Sequence, residues 1–252
     1  MGARLQPFTC FWPKCLMPIH QTPLLEYWLS SLRYLNLQNV YVNSHHHAHE
    51  VNLFLKRKRF TSWVTNLYEN ELVGTAGSIR YNKEFFYNSH LLLIHADNWT
   101  ALSIKDFLEY SAKMKNIDCV MSMVTFFTKE PKNCGIVTLD ERRVVTDFFE
   151  KDPLVSSNLA NGAVYFLDKT IVNWICENQE VSDFSLDVIP RFVDRIMTWH
   201  NNGYHRDIGQ IDSLRKAQND PRVKLYWKND DKWMTKFREH GILKKLNLKY
   251  EC

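Results

Sequence analysis

The 252-residue sequence lacks a long apolar run, and this absence excludes several classes of protein. No segment approaches the roughly 18 consecutive apolar residues that a membrane-spanning helix needs. Pro7 and Pro13 interrupt the region where a secretion signal would need an unbroken apolar stretch. We therefore expect no membrane partner and a cytoplasmic location.

Paired cysteines and a strong net charge are also missing. The six cysteines are scattered without a Cys-x-x-Cys pair, which favours reduced thiols over a disulfide framework. The formal net charge of +4 is too small to indicate a nucleic-acid partner. The excess is local, because nine basic and four acidic residues occur from Pro221 onward. We predict a domain at 1–220 followed by a basic, aromatic-containing extension at 221–252.

What the sequence does contain is an alternation of helix and strand patterns. Helical spacing of apolar residues occurs in segments 23–32, 51–58, 103–114, 169–177 and 185–196. Strand-forming runs occur at 40–42, 91–94, 119–127, 135–139, 144–149 and 162–166. Ser103 and Ser185 are candidate helix caps. The alternation predicts a single α/β domain with a mostly parallel, Rossmann-like mixed sheet flanked by helices.

The first segment that indicates chemistry is Gly-Ala-Arg-Leu-Gln-Pro-Phe-Thr at residues 2–9, followed by Pro13-Lys14. A loop glycine lets backbone amides approach a phosphate, and Arg4 and Lys14 supply positive charge for a triphosphate. Taken alone, the two side chains could be ordinary surface charges. The spacing of the whole segment resembles the second half of the signature loop of sugar-phosphate nucleotidyltransferases, which include mannose-1-phosphate guanylyltransferases.

This resemblance extends to about Asp220 and implies roles for particular residues. It implies that Arg4 stabilises a leaving pyrophosphate and that Lys14 lies between the reacting phosphates, both as catalytic residues. The segment from Glu71 to Gly77 resembles the part of the family that packs around the base and ribose. The implied nucleotide-binding residues are Gly2, Ala3, Glu71, Gly74, Thr75, Ala76 and Gly77.

Two aspartates are the implied metal ligands. Asp97 follows the apolar run at 91–94, at the place where open α/β sheets bind ligands. Asp207 matches a second acidic position of the family. An isolated aspartate at a strand end is commonly a cap or turn residue, but a carboxylate pair suits Mg²⁺ shared with substrate phosphates. The resemblance therefore implies Mg²⁺ as the cofactor.

Four residues are implied to bind the sugar phosphate. Glu150 and Lys151 resemble the family's Glu-Lys element, in which the carboxylate grips sugar hydroxyls and the ammonium contacts the phosphate. Family enzymes usually have proline next, whereas this chain has Asp152. Asn161 and Gly162 resemble a strand that presents an amide and a glycine backbone to the sugar. The alternative for both segments is an ordinary turn and strand.

A tract of histidines, His45-His46-His47 with His49, invites a metal interpretation. Adjacent helical residues point in different directions and cannot all face one ion. We therefore predict a solvated or partly packed histidine cluster.

Family members carry an apolar strand and a further glycine-containing turn before the residues that match Gly2-Ala3-Arg4. This chain begins at Met1, so we expect that first strand to be missing. Its loss would remove core and part of the triphosphate cradle.

The resemblance implies transfer of a nucleoside monophosphate from a triphosphate, with GTP favoured, to a mannose- or heptose-type sugar 1-phosphate. Uridylyl or thymidylyl transfer to another sugar phosphate is open. So is a non-catalytic nucleotide-sugar binding or regulatory subunit. The tail aromatics Tyr226, Trp227, Trp233 and Phe237 could serve a homo-oligomer contact, but we favour closure of the chain's own core.

Overall fold

The computed structural model describes residues 5–35 and 37–242. The helices are α1 (Leu24–Leu32), α2 (Ala48–Leu55), α3 (Thr75–Tyr81), α4 (Lys83–Phe86), α5 (Ile104–Ser111), α6 (Lys169–Glu177), α7 (Ile211–Asn219) and α8 (Lys232–Glu239). The strands are β1 (Pro18–Ile19), β2 (Thr22–Pro23), β3 (Val40–Ser44), β4 (Val64–Tyr68), β5 (Leu91–Ile94), β6 (Asn98–Thr100), β7 (Met121–Phe127), β8 (Gly135–Leu139), β9 (Val145–Glu150), β10 (Leu159–Leu167), β11 (Ile196–His200) and β12 (His205–Asp207).

These elements form two compact units. Unit 1 comprises the described parts of residues 1–71, 96–100 and 206–252, and unit 2 comprises residues 72–95 and 101–205. Within the described ranges, no helix is both long and apolar enough to cross a membrane.

Unit 2 is built on a mixed sheet around β10. This strand pairs antiparallel with β5, β7 and β8, and β8 pairs antiparallel with β9. On the other edge of β7, β11 is a parallel partner. Helices α5 and α6 pack against β7 and β10. The predicted α/β class, with a mixed sheet flanked by helices, is confirmed.

Parallel pairing is less extensive than the sequence predicted. Strands β8, β9 and β10 follow one another through short connections, which suit antiparallel neighbours. Parallel neighbours need a crossover of about a dozen residues or more. As a result β10 runs against both β5 and β7, and the expectation of a mostly parallel sheet is corrected at this strand.

Segment 185–196 also differs from its predicted helix. It contains one π-helical turn and one 3₁₀ turn before the chain enters β11. Pro190 lacks a backbone N–H and interrupts regular helix there. The cap is Asp183 rather than Ser185, because the Asp183 carboxylate accepts the first backbone N–H groups of the turn. At the other predicted cap, Ser103 does accept a backbone N–H of α5.

Unit 1 has an aromatic core next to the parallel pair β3 and β4. The ring of Phe54, on α2, lies 5.1 Å from that of Phe60 and 5.1 Å from that of Trp233 on α8. The ring of Trp227 lies 5.9 Å from that of Phe60. Trp227, Trp233 and Phe237 therefore pack on the core of their own chain, as we favoured from the sequence, whereas Tyr226 is 55% exposed.

A buried group of charges fixes the tail to unit 1. The Arg57 side chain is only 4% exposed and forms an ion pair with the fully buried Glu26. Arg57 Nε also donates to Asp231 Oδ2 at 2.9 Å, and Trp227 Nε1 donates to Glu26 Oε1 at 2.6 Å. Breaking a buried pair typically costs about 3–5 kcal/mol, because it leaves a charge without a partner. This network ties α1, α2 and the residues before α8 together.

Candidate active site

A tight turn carries Lys14. Pro13, with its fixed φ of −68°, precedes a 3₁₀ turn at Lys14–Leu16, and Leu16 N donates to Pro13 O at 3.0 Å. The indole of the buried Trp12 closes this turn, since its Nε1 donates to Leu16 O at 2.8 Å. The backbone that carries the Lys14 side chain is therefore fixed by hydrogen bonds across the turn.

Two short strands deliver the aspartates. Asp97 lies between β5 and β6, and Asp207 is the last residue of β12. The segments are joined where Ile208 N donates to Asp97 O at 3.1 Å. Gly209 N donates to Asp207 Oδ1 at 2.7 Å. A Cβ on Gly209 would lie 2.9 Å from that same oxygen and 3.0 Å from Lys14 Nζ, so glycine leaves room for both groups.

The ammonium of Lys14 bridges the two carboxylates. Its Nζ donates to Asp207 Oδ1 at 2.8 Å and also to Asp97 Oδ2. Burial by itself lowers the pKa of Lys14, but the charges of Asp97 and Asp207 outweigh burial and raise the pKa above its ordinary value. Lys14 is therefore cationic at neutral pH. The structure brings together three residues that the sequence analysis singled out separately.

The same carboxylate pair fits a divalent cation. It already attracts one cation, the Lys14 ammonium, to the point where the two carboxylates meet. Mg²⁺ prefers oxygen ligands and needs only one or two protein carboxylates when water and substrate phosphates supply the rest. No cluster of three or more His, Cys, Asp or Glu side chains in the described residues could hold a metal. Asp97 and Asp207 are the residues that would hold Mg²⁺ at this site.

The sequence analysis missed Glu69, a buried acidic residue directly after β4. Its side chain is 3% exposed, whereas Glu71, chosen from the sequence, is exposed. Across the part of the chain that the structure describes, Glu69 Oε1 has no hydrogen-bond partner. Burying a carboxylate without a donor is costly. Glu69 therefore marks a place where a ligand could supply donor groups.

The histidine tract packs against loops of unit 1. His45 Nδ1 lies 2.9 Å from the carbonyl oxygen of Glu69. His46 Nε2 and His47 Nε2 lie 3.4 Å and 3.0 Å from the carbonyl oxygen of Thr9. The prediction of a partly packed cluster is confirmed. These histidines hold the loop that precedes Lys14.

In unit 2, the glycine segment at 74–77 packs against Ser182. Gly74 has a φ of +78°, and a Cβ there would lie 2.4 Å from Ser182 O. The amides of Ala76 and Gly77 donate to that same oxygen at 2.9 Å and 3.1 Å. The fold thus supplies its own reason for glycine at 74. The nucleotide role of Gly74, Thr75, Ala76 and Gly77 stays a prediction.

The predicted sugar-phosphate residues also lie in unit 2. Glu150 ends β9 and its Oε1 lies 2.8 Å from Lys151 Nζ. Asn161 Nδ2 donates to the hydroxyl of Tyr165 at 2.7 Å, and Asn161 Oδ1 accepts from Ala163 N at 2.9 Å. Burial raises the pKa of Tyr165 even though the Asn161 hydrogen bond acts in the opposite direction. Tyr165 therefore remains a neutral hydroxyl that fixes the Asn161 amide.

Gly162 follows Asn161 at an irregularity of β10. The pairing register of β10 with β7 shifts between Asn161 and Tyr165. A Cβ on Gly162 would lie 3.0 Å from Val124 O and 3.4 Å from the ring of His205. Close packing thus favours glycine at this position. Gly2, Ala3 and Arg4 lie outside the described residues, and their roles stay predictions.

The fold and the lysine–dicarboxylate cluster define an α/β protein in which one ammonium is held between two carboxylates. The sequence profile of the nucleotidyl transferase family matches residues 1–222, and the chain belongs to that family. A Sulfolobus acidocaldarius protein provisionally named a mannose-1-phosphate guanyltransferase is 23% identical over 193 residues, which are 76% of this chain and 52% of that protein. The chain spans about half the length of the curated relatives it matches.

Solved structures share the fold. A Bacillus anthracis protein provisionally named a glucose-1-phosphate thymidylyltransferase superposes with a TM-score of 0.74 at 20% identity, covering 86% of this chain and 90% of its own. HddC from Yersinia pseudotuberculosis, complexed with GMP-PN, gives a TM-score of 0.67 at 23% identity, with 82% and 89% covered. At these identities the likeness establishes the fold alone.

Proposed function

We propose that the protein transfers a nucleoside monophosphate from a nucleoside triphosphate to a sugar 1-phosphate and releases pyrophosphate. One observation carries this proposal, namely that Asp97 and Asp207 converge on the ammonium of Lys14. A reaction between two polyanions needs positive charge held where negative charge accumulates. Membership of the nucleotidyl transferase family agrees with this chemistry.

In the proposed reaction, a phosphate oxygen of the sugar 1-phosphate attacks the α-phosphorus in line and forms a new P–O bond. The bond from the α-phosphorus to its bridging oxygen breaks, and pyrophosphate leaves with the electron pair. The attacking phosphate is already anionic, so no general base is required, and no covalent enzyme intermediate forms. The protein's contribution is positioning and charge stabilisation.

Lys14 can serve the carboxylates and the substrates together. A lysine ammonium has three donors, and two of them are directed at Asp97 and Asp207. The third is left for a phosphate oxygen between the reacting groups. Arg4 is assigned to the leaving pyrophosphate. Asp97 and Asp207 would hold Mg²⁺, which when bound supplies charge that polarises the α-phosphate.

The family resemblance assigns the sugar phosphate to Glu150, Lys151, Asn161 and Gly162. The Glu150 carboxylate accepts hydrogen bonds from sugar hydroxyls, and the Lys151 ammonium offsets the negative charge of the sugar phosphate. The Asn161 amide is oriented by Tyr165 and, with the Gly162 backbone, contacts the sugar. Glu71 and the segment 74–77 are assigned to the nucleotide.

The substrates we favour are GTP and a mannose- or heptose-type sugar 1-phosphate. Support for guanine comes from Glu69, whose buried Oε1 has no donor among the described residues. Guanine presents N1–H and N2–H₂ side by side, and these two donors complement a carboxylate. Uracil and thymine present a single N3–H between two acceptors. Uridylyl or thymidylyl transfer is the alternative.

The test is pyrophosphate release with Mg²⁺, using GTP, UTP, dTTP, CTP and ATP against mannose, heptose and glucose 1-phosphates. We expect GTP to be preferred and Asp97→Asn to abolish turnover. Glu69→Gln and Glu84→Gln form a matched pair that tests base recognition, because Glu84 is exposed on α4 and has no role in the proposed site. Losing a charged hydrogen bond of about 1.5–3 kcal/mol lowers kcat/KM for GTP roughly 10- to 100-fold in Glu69→Gln. Glu84→Gln should stay within about twofold of the wild type by the same scale.

Other outcomes have definite meanings. A folded sample that binds nucleotide but turns over no pair would support the alternative of a non-catalytic nucleotide-sugar binding or regulatory subunit. An unchanged GTP preference in Glu69→Gln would remove the argument for guanine. Cytoplasmic location and homo-oligomer formation stay predictions from the sequence.

A further inference from the structure

Helix α8 packs directly on the residue that closes the lysine turn. The indole of Trp12 lies 5.9 Å from the ring of Phe237, on α8, and 4.4 Å from the ring of His240, just after it. Trp12 and Phe237 are both buried. The residues before Lys14 are therefore in contact with a helix more than two hundred positions later in the chain.

The helix itself is firmly placed. The Asp231 carboxylate caps α8 by accepting from Met234 N at 3.0 Å, and it also accepts from the buried Arg57. Trp233 stacks on Phe237 at 5.2 Å, with their planes 14° apart, and meets Phe54 at 5.1 Å. A chain of ring contacts thus runs from Phe54 on α2 through Trp233 and Phe237 on α8 to Trp12.

Trp12 links the position of α8 to the position of Lys14. The hydrogen bond from Trp12 Nε1 to Leu16 O spans the turn that contains Lys14 and Cys15. The same turn carries the backbone bonds Leu16 N to Pro13 O and Met17 N to Lys14 O. A shift of Trp12 would therefore move the whole turn, and with it the origin of the Lys14 side chain.

We propose that Trp12 is a positioning residue and that α8, through Trp12, sets the place of the Lys14 ammonium between Asp97 and Asp207. The proposal rests on the function proposed above. A displacement of about 1 Å in a charged catalytic group can cost roughly 100-fold in rate, so bracing from a distance matters for turnover. Helix α8 then supports the position of a catalytic residue.

The experiment compares Trp12→Phe, Phe237→Leu and the control Phe107→Leu, all well below their unfolding temperatures. Phe107 is fully buried in unit 2, where it packs near Trp199, so its variant reports general destabilisation. We expect Trp12→Phe and Phe237→Leu to lower kcat about 10-fold or more, with KM for both substrates nearly unchanged. Phe107→Leu should keep its kcat. Equal kcat losses in all three variants, or none in the first two, would overturn the proposal.

A second measurement does not depend on turnover. Hydrogen exchange of the Leu16 and Met17 amides reports opening of the lysine turn directly. We expect exchange to rise about tenfold in Phe237→Leu and to stay at the wild-type rate in Phe107→Leu. If the wild type shows no turnover, the proposed function fails, whereas the exchange rates still test whether α8 holds the lysine turn in place. Unchanged exchange of these two amides in Phe237→Leu would overturn the proposal that α8 holds the lysine turn.

Discussion

The Nζ of Lys14 lies 2.8 Å from Oδ1 of Asp207, although 193 positions separate the two residues in the chain. The same ammonium also reaches Asp97, so one positive charge balances two negative ones. Its positive charge offsets the repulsion between the two carboxylates. This relationship makes Lys14 the most informative residue to change.

Replacing Lys14 with methionine keeps most of the side-chain volume and removes the charge. We expect Lys14→Met to lower kcat/KM for pyrophosphate release about 100- to 1,000-fold, the usual scale for loss of a preorganised charge-stabilising donor. Lys105→Met is the matched control, because the Lys105 side chain is 74% exposed on α5. A Lys14→Met enzyme within threefold of the wild type would remove Lys14 from the mechanism.

Gly74→Ala should destabilise the fold whether or not a nucleotide is present. The new Cβ would meet Ser182 O at 2.4 Å, at a φ of +78° that side chains rarely adopt. We expect a loss of about 2 kcal/mol or more in the free energy of unfolding. Gly241→Ala is the control, since an added Cβ there meets no atom within 4 Å beyond its chain neighbours and its own helix backbone. Equal denaturant midpoints for the two variants would contradict the packing role of Gly74.

The acid limit of stability should depend on Asp231. Burial by itself would raise the pKa of Asp231, but hydrogen bonds from Arg57 and from Met234 N lower it below the ordinary value of 3.8. A lowered pKa in the folded state adds stability above pH 3.8, and this contribution is lost as pH falls through the folded-state pKa.

We therefore expect Asp231→Asn to be less stable than the wild type by a constant amount near neutral pH. The gap should close only below about pH 4, since the ion pair survives until Asp231 is protonated. Denaturant unfolding between pH 3 and pH 8 measures this difference in the free energy of unfolding. Asp230→Asn, at the exposed neighbouring position, should show no such gap. A gap that closes above pH 5 would contradict the sign of the shift.

Thiol labelling should separate Cys10 from Cys15. Burial, together with the charge of Asp97, raises the pKa of the Cys15 thiol to about 12. The reactive thiolate at pH 8 is then about a thousandfold scarcer than for a thiol of pKa 9.0. We expect iodoacetamide to modify the exposed Cys10 in the folded protein and Cys15 only after unfolding. Peptide mapping that finds both labelled at equal rates would show that the lysine turn opens readily.

The position of Asp97 could be predicted from physical pattern. The apolar run that became β5 is short and is followed by polar residues, a pattern typical of a strand that ends at a ligand site, although the four residues of β5 are only half-buried. Asp207 was found only through family resemblance, because the three residues of β12 carry no periodic signal. That Lys14 bridges both aspartates depends on contacts between distant segments, which periodicity does not specify.

Glu69 was missed because β4 was not predicted. The segment Val-Thr-Asn-Leu-Tyr at 64–68 does not alternate apolar and polar residues, so no strand pattern is apparent there. Segment 185–196 was assigned to a helix because apolar residues near Pro190 also fit helical spacing, whereas the chain forms two short turns there and β11 begins only at Ile196. For β4, pairing with β3 decided the structure, and only that neighbouring strand could have revealed it.

The division of unit 1 among separate stretches has a consequence for the order in which the protein forms. Unit 2 needs only residues between 72 and 205, whereas unit 1 needs residues 206–239 as well as its early ones. During synthesis the N-terminal part emerges first, so the strands around β10 can pair while Lys14 still lacks Asp207 and Trp12 still lacks Phe237. The charge cluster is therefore among the last features that a newly made chain completes.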